Sequence, residues 1–165
     1  MILTILKTLL FTILLPGSVT AGIPCLLLSS GWGLTFDIGN WRFIGVILIA
    51  LAIAVYIWTA RDFIAIGKGT PAPVDPPRTL VARGLYRIVR NPMYIGVLLA
   101  LLGEAIFLAS LALLVYTIVI WLAFHLFVVY YEEPKLRRQF GLEYDEYCQT
   151  VSRWIPGLPH DKKGI

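Results

Sequence analysis

Along this chain, apolar residues gather in runs too long for a soluble core. Ile2 to Ser30 is apolar except for Lys7, and Phe43 to Ala60 carries no charge at all; both exceed the roughly 18 residues that mark a candidate membrane span. A third apolar stretch, Pro92 to Tyr131, has Glu104 as its one formal charge and is too long for a single crossing. Small residues at Leu108-Ala-Ser110 divide it. The pattern therefore predicts a helical hairpin with arms of about 18 and 20 residues, each able to cross roughly 30 Å of hydrocarbon. Beyond Tyr131, charges alternate with Leu136, Phe140, Tyr144 and Tyr147 at helical spacing. That predicts a short amphipathic helix from Glu133 to about Ser152, lying on the membrane interface. The expected fold is all-α: a polytopic membrane helix bundle of four transmembrane segments, the last two a helical hairpin, plus a C-terminal interfacial amphipathic helix.

Pro16, Gly17 and Pro24 should break or kink the first helix, which a bundle tolerates where neighbours satisfy the freed backbone groups. A cleavable signal peptide is the other reading of this run, because small residues surround Ser18 to Gly22. The apolar run continues through Ile23 to Leu28, however, and a charged leader region is missing.

Composition sharpens this picture. At 165 residues the chain is one domain by length, and 58% hydrophobic with 15% charged residues lies outside the soluble range. Its divisions are two N-terminal spans (1–66), a polar loop (67–91), the hairpin (92–131) and a polar tail (132–165). Cys25 and Cys148 are too few and too far apart for a disulfide framework or a paired-cysteine metal site, and no metal is expected.

The placement of charge says more than the net +4. Arg61, Lys68, Arg78, Arg83, Arg87 and Arg90 fall between spans two and three, and Lys135, Arg137, Arg138, Arg153, Lys162 and Lys163 follow span four. The loop between spans one and two holds Arg42 alone. By the positive-inside rule both termini and the central loop are cytoplasmic, in the inner or plasma membrane if the source is prokaryotic. The arginines are better explained by orientation and anionic lipid headgroups than by nucleic acid. Gly67, Gly69, Pro71, Pro73, Pro76 and Pro77 deny that loop helix or central strand, so a stiff extended strap is expected across the face.

Candidate chemistry gathers at the same edge. The run Gly84 to Gly96, GLYRIVRNPMYIG, leads from basic and aromatic residues straight into the hairpin, and Glu132-Glu133 stands at the hairpin's far end. Asn91 followed by Pro92 is a helix-start signal in its own right, Asn as N-cap and Pro at the first helical position. A helix N-terminus also suits an anion, which Arg90 would reinforce, while Arg87 reads as a headgroup anchor. The two acids sit about 100° apart on a regular helix, so one is expected to face the bundle and the other water. An inward acid at this depth needs a cation or several donors, which marks it as a site candidate. His125, two turns before Glu132, is a possible proton acceptor, although a lone His in an apolar helix more often serves as an interhelical hydrogen bonder. Glu104 lies roughly 20 Å along the helix from Asn91 and belongs to the opposite edge.

Together with Phe140-Gly141, Glu143-Tyr144, Tyr147 and Val151-Ser-Arg-Trp-Ile-Pro156, these residues resemble the isoprenylcysteine carboxyl methyltransferase and phospholipid methyltransferase superfamily of integral membrane enzymes. The resemblance covers about the last 90 residues. It implies S-adenosylmethionine as cofactor, held between the loop before the hairpin, an arginine-histidine-proline-x-tyrosine start of the first arm, and the acidic pair after the second. Here the motif reads Arg90-Asn91-Pro92-Met93-Tyr94, followed by Gly96. By that resemblance Thr79, Leu80, Val81, Tyr86, Arg90, Asn91, Pro92, Met93, Tyr94 and Glu132 bind the cofactor. An inward carboxylate and aromatic faces suit a cationic sulfonium and an adenine.

Two departures bear on the reaction. Asn91 stands where the family pattern has histidine; it can still hydrogen-bond but cannot carry a proton at neutral pH. Val128 stands where isoprenylcysteine enzymes resemble one another in carrying an arginine for the substrate carboxylate. The expected acceptor is a lipophilic small molecule or lipid-modified molecule entering from among membrane lipids, isoprenylcysteine-like first, with phosphatidylethanolamine-type N-methylation as the alternative. If an amine is methylated, His125 or Glu133 would be the nearest base. The rival classes are a membrane reductase using a nicotinamide dinucleotide and a non-enzymatic scaffold.

Overall fold

The structure, a computed structural model, describes residues 10, 12–31, 33–62 and 79–157. The proline-rich strap expected within 67–78 lies outside these residues. The described residues form helices and no strand, with one isolated antiparallel bridge between Thr35 and Ser110. Helix α1 runs Thr12–Ser29. After a 3₁₀ turn at Gly39–Arg42 comes α2, Phe43–Asp62. A second 3₁₀ turn, Gly84–Arg87, precedes α3, Pro92–Phe107, and α4 follows at Leu111–Phe127. A π turn at Val128–Glu132 carries α4 into α5, Glu133–Phe140, and α6 covers Leu142–Thr150.

Among the described residues, three helical runs are long and apolar enough to cross a bilayer: Thr12–Ser29, Gly39–Asp62 and Leu111–Phe140, whose uncharged part ends at Tyr131. Helix α3 is apolar but has 16 residues, about 24 Å at the usual rise. Ile47, Ile53 and Ile57 of α2 and Val115, Ile118 and Val119 of α4 are exposed, an outer surface that water would not tolerate and hydrocarbon does.

The hairpin turns where small residues divide the apolar stretch. Leu108 ends α3, Ala109 takes a left-handed φ of 47°, and the Ser110 side chain accepts from the Leu113 N–H to cap α4. The loop before α2 pairs with this tip: the Leu111 N–H donates to the Leu34 carbonyl at 3.0 Å and the Phe36 N–H to the Ala109 carbonyl at 3.1 Å.

Helices α2 and α3 pack antiparallel through small residues, the usual device where lipid removes the hydrophobic drive for helix association. Gly45, Ala52 and Thr59, seven residues apart, are the buried positions of α2. A Cβ on Gly103 would lie 2.7 Å from the Gly45 carbonyl oxygen, and one on Gly45 would overlap the Gly103 carbonyl. At the other end Gly96 faces the Ala52 carbonyl. This seam fixes the start of α3 beside the end of α2, which places the site.

Both π turns stand two residues before a proline: Ser18–Gly22 before Pro24 and Val128–Glu132 before Pro134. A proline ring in a helix clashes with the carbonyl four residues earlier and withholds a donor, and a widened turn accommodates both. The first was expected as a kink. The second changes the site. The tail helix expected to be continuous from Glu133 is instead split at Gly141, whose φ of 56° breaks it into α5 and α6.

Candidate functional site at the open end of the hairpin

Pro92 occupies the first turn of α3, as its fixed φ suits. Asn91 holds the N-cap position, but its side chain does not cap; its Nδ2 donates to the Arg153 carbonyl at 3.1 Å. Asn91 is buried as a tether for the tail.

One turn on, the Tyr94 hydroxyl donates to Glu132 Oε2 at 2.8 Å, joining the start of α3 to the end of the α4 run. Burial pushes the Glu132 carboxyl above its ordinary range; the Tyr94 hydrogen bond pulls it down, the Glu133 charge pushes it up, and Lys135 lowers it. The face of Tyr94 lies 4.7 Å from Phe124, centroid to centroid, and Trp154 approaches it at 6.4 Å.

Contrary to the expectation that one acid faces water, Glu133 is also engaged, its side chain 4% exposed. A π turn holds more residues per turn than an α turn, so the wide turn ahead of Pro134 swings the two neighbours toward a shared side. Arg153 grips Glu133 through Nε to Oε1 at 2.6 Å and Nη2 to Oε2 at 3.0 Å. Arg90 adds a contact at 3.2 Å and Arg137 one at 3.7 Å. Burial alone would raise the Glu133 carboxyl, but the Arg153 hydrogen bond and the charges of Arg90, Arg153 and Arg137 hold it below the usual carboxylate range. Arg90 also reaches Cys148 Sγ at 2.6 Å. These bonds clamp the chain end, and backbone pairing completes the clamp: the Arg90 N–H donates to the Ser152 carbonyl at 2.9 Å and the Gly157 N–H to the Ile88 carbonyl at 3.1 Å.

The returning tail brings Trp154 to His125. Trp154 Nε1–H donates to His125 Nδ1 at 3.0 Å, and Trp121 stacks on the same ring at 5.8 Å. With Nδ1 accepting, a neutral His125 carries its proton on Nε2. In the loop, Val81 and Tyr86 are buried, Leu80 is half-buried and Thr79 exposed. The Tyr147 hydroxyl donates to the Tyr86 carbonyl at 2.6 Å. Burial and then the Glu132 charge push the Tyr86 hydroxyl well above its ordinary value.

The structure thus brings Tyr94 and Glu132 together directly, places Tyr86 in their field, and commits Arg90 and Asn91 to the tail. Met93 is half-buried in the first turn of α3. Glu104 lies near the hairpin tip, away from this cluster. Arg153 and Trp154, part of the Val151–Pro156 motif, join the candidate site through Glu133 and His125, a placement the motif alone does not give. Their signal was an Arg-Trp pair just past an amphipathic helix.

A helix bundle with apolar outer faces and one polar, acid-containing edge describes an integral membrane protein, and that edge is its candidate site. Residues 41–143 match the family model described as phospholipid methyltransferase, and the chain belongs to that family. Over 78 residues it is 38% identical to the probable protein-S-isoprenylcysteine O-methyltransferase of Oryza sativa subsp. indica, a match that takes in 47% of this chain and 40% of the rice protein. Protein-S-isoprenylcysteine O-methyltransferase B of Arabidopsis thaliana is 35% identical over 78 residues, 47% of this chain and 39% of its own length. The Schizosaccharomyces pombe protein-S-isoprenylcysteine O-methyltransferase is 33% identical over 81 residues, 48% of this chain and 34% of its own. The chain therefore covers less than half of the length of these relatives.

Proposed function

We propose that this chain is an S-adenosylmethionine-dependent methyltransferase of the membrane, acting on a lipophilic acceptor of the isoprenylcysteine type. The observation that carries the reading is the Tyr94–Glu132 pair, a carboxylate held at the bilayer edge beside aromatic faces, in a chain whose relatives are named for isoprenylcysteine methylation. Such a carboxylate fits a sulfonium, and the Tyr94 and Phe124 rings fit an adenine or a cation. The donor, when bound, supplies an electrophilic methyl group on sulfur. Glu132 and the surrounding rings orient it and exclude water, and orientation is the main demand of an in-line displacement. The proposed architecture has four spans with α3 as the third, both termini cytoplasmic by charge placement, and α5 and α6 at the interface. An apolar cleft of about 200 Å³ between α1, α2 and α3, lined by Ala52, Tyr56, Gly96 and Ala100 among others, supports entry of an acceptor chain from the bilayer.

One observation favours a second reading, methylation of a phospholipid amine. Arg90 and Arg153, packed against the hairpin base, are both ion-paired with Glu133, and Val128 is apolar and buried, so of these two cations the site offers an acceptor carboxylate little beyond the unpartnered Nε of Arg90. An amine must shed a proton. Glu133 is tied to arginines and His125 Nδ1 is occupied by Trp154, so Glu132, raised by burial, is the better acceptor of that proton.

Calorimetric titration of the detergent-purified protein with S-adenosylmethionine and with a nicotinamide dinucleotide phosphate tests the donor. Binding of the first, lost in Glu132→Ala, is expected. Binding of the dinucleotide instead would move the protein to the reductase class, and binding of neither to the scaffold class.

A further inference from the structure

At the hairpin tip, about 24 Å along α3 from the Glu132 edge, the loop before α2 and the Leu108–Ala109 corner line a polar cleft of about 380 Å³. The backbone bonds from Leu111 to Leu34 and from Phe36 to Ala109 fix its walls. Arg42 and Asp37 both line it. The Arg42 guanidinium lies over the Phe107 ring at 5.0 Å, a contact that uses the flat face of the group and leaves its in-plane N–H donors for an anion. Asp37 Oδ1 accepts from the Gly39 N–H at 3.0 Å. None of the ion pairs among the described residues includes either side chain, so one cleft holds two opposite charges that do not neutralise each other. Its mouth is flanked by Phe36, Trp41 and Phe43, all exposed, and exposed aromatic residues at the end of a span mark the level of the lipid headgroups.

We propose that this cleft binds the headgroup of a phospholipid that carries both a phosphate and a primary ammonium, the phosphate on Arg42 and the ammonium on Asp37. An arginine fork matches two phosphate oxygens, and a carboxylate takes a charge-assisted bond from an ammonium N–H. A headgroup with only negative charge would satisfy Arg42 and be repelled by Asp37. A soluble zwitterion has no use for the apolar mouth, whereas Phe43 and Ile47, exposed one turn apart on α2, continue from the cleft into the bilayer and give an acyl chain a track. The bound lipid sits at the opposite edge from Tyr94 and Glu132, so it holds the start of α2 against the hairpin tip and is not the methyl acceptor. The inference needs the bilayer alone and is independent of the donor reading.

The test is native mass spectrometry of the full-length protein in detergent, titrated with phosphatidylethanolamine, phosphatidylcholine and phosphatidylglycerol of the same acyl chains. Wild type should hold one phosphatidylethanolamine about tenfold more tightly than phosphatidylglycerol, the size of one charge-assisted hydrogen bond. Phosphatidylcholine should fall between them, since its trimethylammonium keeps the charge and has no N–H. Arg42→Gln should weaken all three lipids, and Arg42→Lys, which keeps the charge and loses the fork, should recover part of the affinity. Asp37→Asn should weaken phosphatidylethanolamine and leave phosphatidylglycerol unchanged or tighter. Both side chains are exposed, so the variants should melt like wild type without lipid. Phosphatidylglycerol binding as tight as phosphatidylethanolamine in wild type, or phosphatidylethanolamine binding unmoved in Arg42→Gln and Asp37→Asn, would overturn the assignment. Loss of the lipid in Glu132→Ala with retention in Arg42→Gln would place it at the methyl-transfer edge and overturn it equally.

Discussion

The phenol of Tyr94 and the carboxylate of Glu132, separated by 38 residues, meet at 2.8 Å and close the open end of the hairpin with a single hydrogen bond. Each belongs to a different arm, so the bond reports the pairing of α3 with the α4 run as well as the chemistry of the edge. Removing the hydroxyl with Tyr94→Phe keeps the ring against Phe124 and withdraws one donor from a buried carboxylate. Affinity for S-adenosylmethionine should fall about tenfold, as expected for a hydrogen bond to a charged group, with the fold retained by circular dichroism. Equal affinity in the variant would separate Tyr94 from the donor site.

Glu133 carries a different expectation. Breaking a buried ion pair strands the surviving charges, so Glu133→Gln should cost about 3 kcal/mol or more of stability, read by thermal melting in detergent, and should free the segment from Ser152 to Gly157 to proteolysis. The pH dependence follows from the arginines. The folded carboxyl lies below the ordinary value of about 4.3, so its contribution is fully present above that value and is lost as pH falls through the lower folded one. Wild type should hold its melting temperature from neutral pH down to that range and then lose it, and Glu133→Gln should show a shallower acid loss. A variant as stable as wild type at neutral pH would mean the clamp does not hold the tail.

Much of the fold was legible in the pattern of apolar runs, because hydrocarbon leaves the backbone few options. The hairpin turn was legible for the same reason, with small residues at Ala109 and Ser110 dividing a stretch too long for one span. The meeting of Tyr94 with an acid was visible as a motif facing a paired carboxylate. The engagement of both acids was not, since a regular helix would have pointed one outward. Pro134 carried the missing information: it forces the π turn that turns Glu133 inward. Arg90 looked free for a ligand because its partners, Glu133 at the far end of the hairpin and Cys148 in the tail, reach it only when the chain folds back over a distance no local pattern encodes. The seam of Gly45, Ala52 and Gly103 needed the antiparallel register of α2 and α3 before its spacing acquired meaning.

That seam yields a graded prediction. Gly103→Ala places a methyl 2.7 Å from the Gly45 carbonyl oxygen, and Gly45→Ala places one against the Gly103 carbonyl, whereas Gly96→Ala meets the Ala52 carbonyl at 3.4 Å, an ordinary contact. The first two should lower the detergent melting temperature sharply, because backbone has to move apart along the helix pair. Gly96→Ala should be close to neutral. Equal effects at all three positions would contradict the close approach at Gly45 and Gly103.

Orientation can be read by membrane-impermeant thiol labelling of intact cells, with Cys25 and Cys148 replaced by serine. Asn40, exposed before α2, and Leu142, exposed at the start of α6, lie in segments that charge placement assigns to opposite sides. Asn40→Cys should label and Leu142→Cys should be protected until the cells are opened. The reverse would move the site to the other face of the membrane.

The acceptor remains the point on which the two functional readings part, and the product distinguishes them chemically. Purified protein incubated with methyl-labelled S-adenosylmethionine should be offered a farnesylcysteine analogue, phosphatidylethanolamine and a short soluble thiol in separate reactions. Transfer to the farnesylcysteine carboxylate gives a methyl ester, which base releases as labelled methanol. Transfer to phosphatidylethanolamine gives a base-stable N-methyl group that stays with the lipid headgroup. The isoprenylcysteine reading expects the first. The amine reading expects the second, and with it a strong loss of the rate at saturating S-adenosylmethionine in Glu132→Gln, because the carboxylate that takes the amine proton is gone; ester formation needs no base and at the same saturation should lose less, its loss falling on cofactor affinity. Transfer to the soluble thiol alone would defeat entry from the bilayer, since that acceptor has no chain to place in the cleft between α1, α2 and α3.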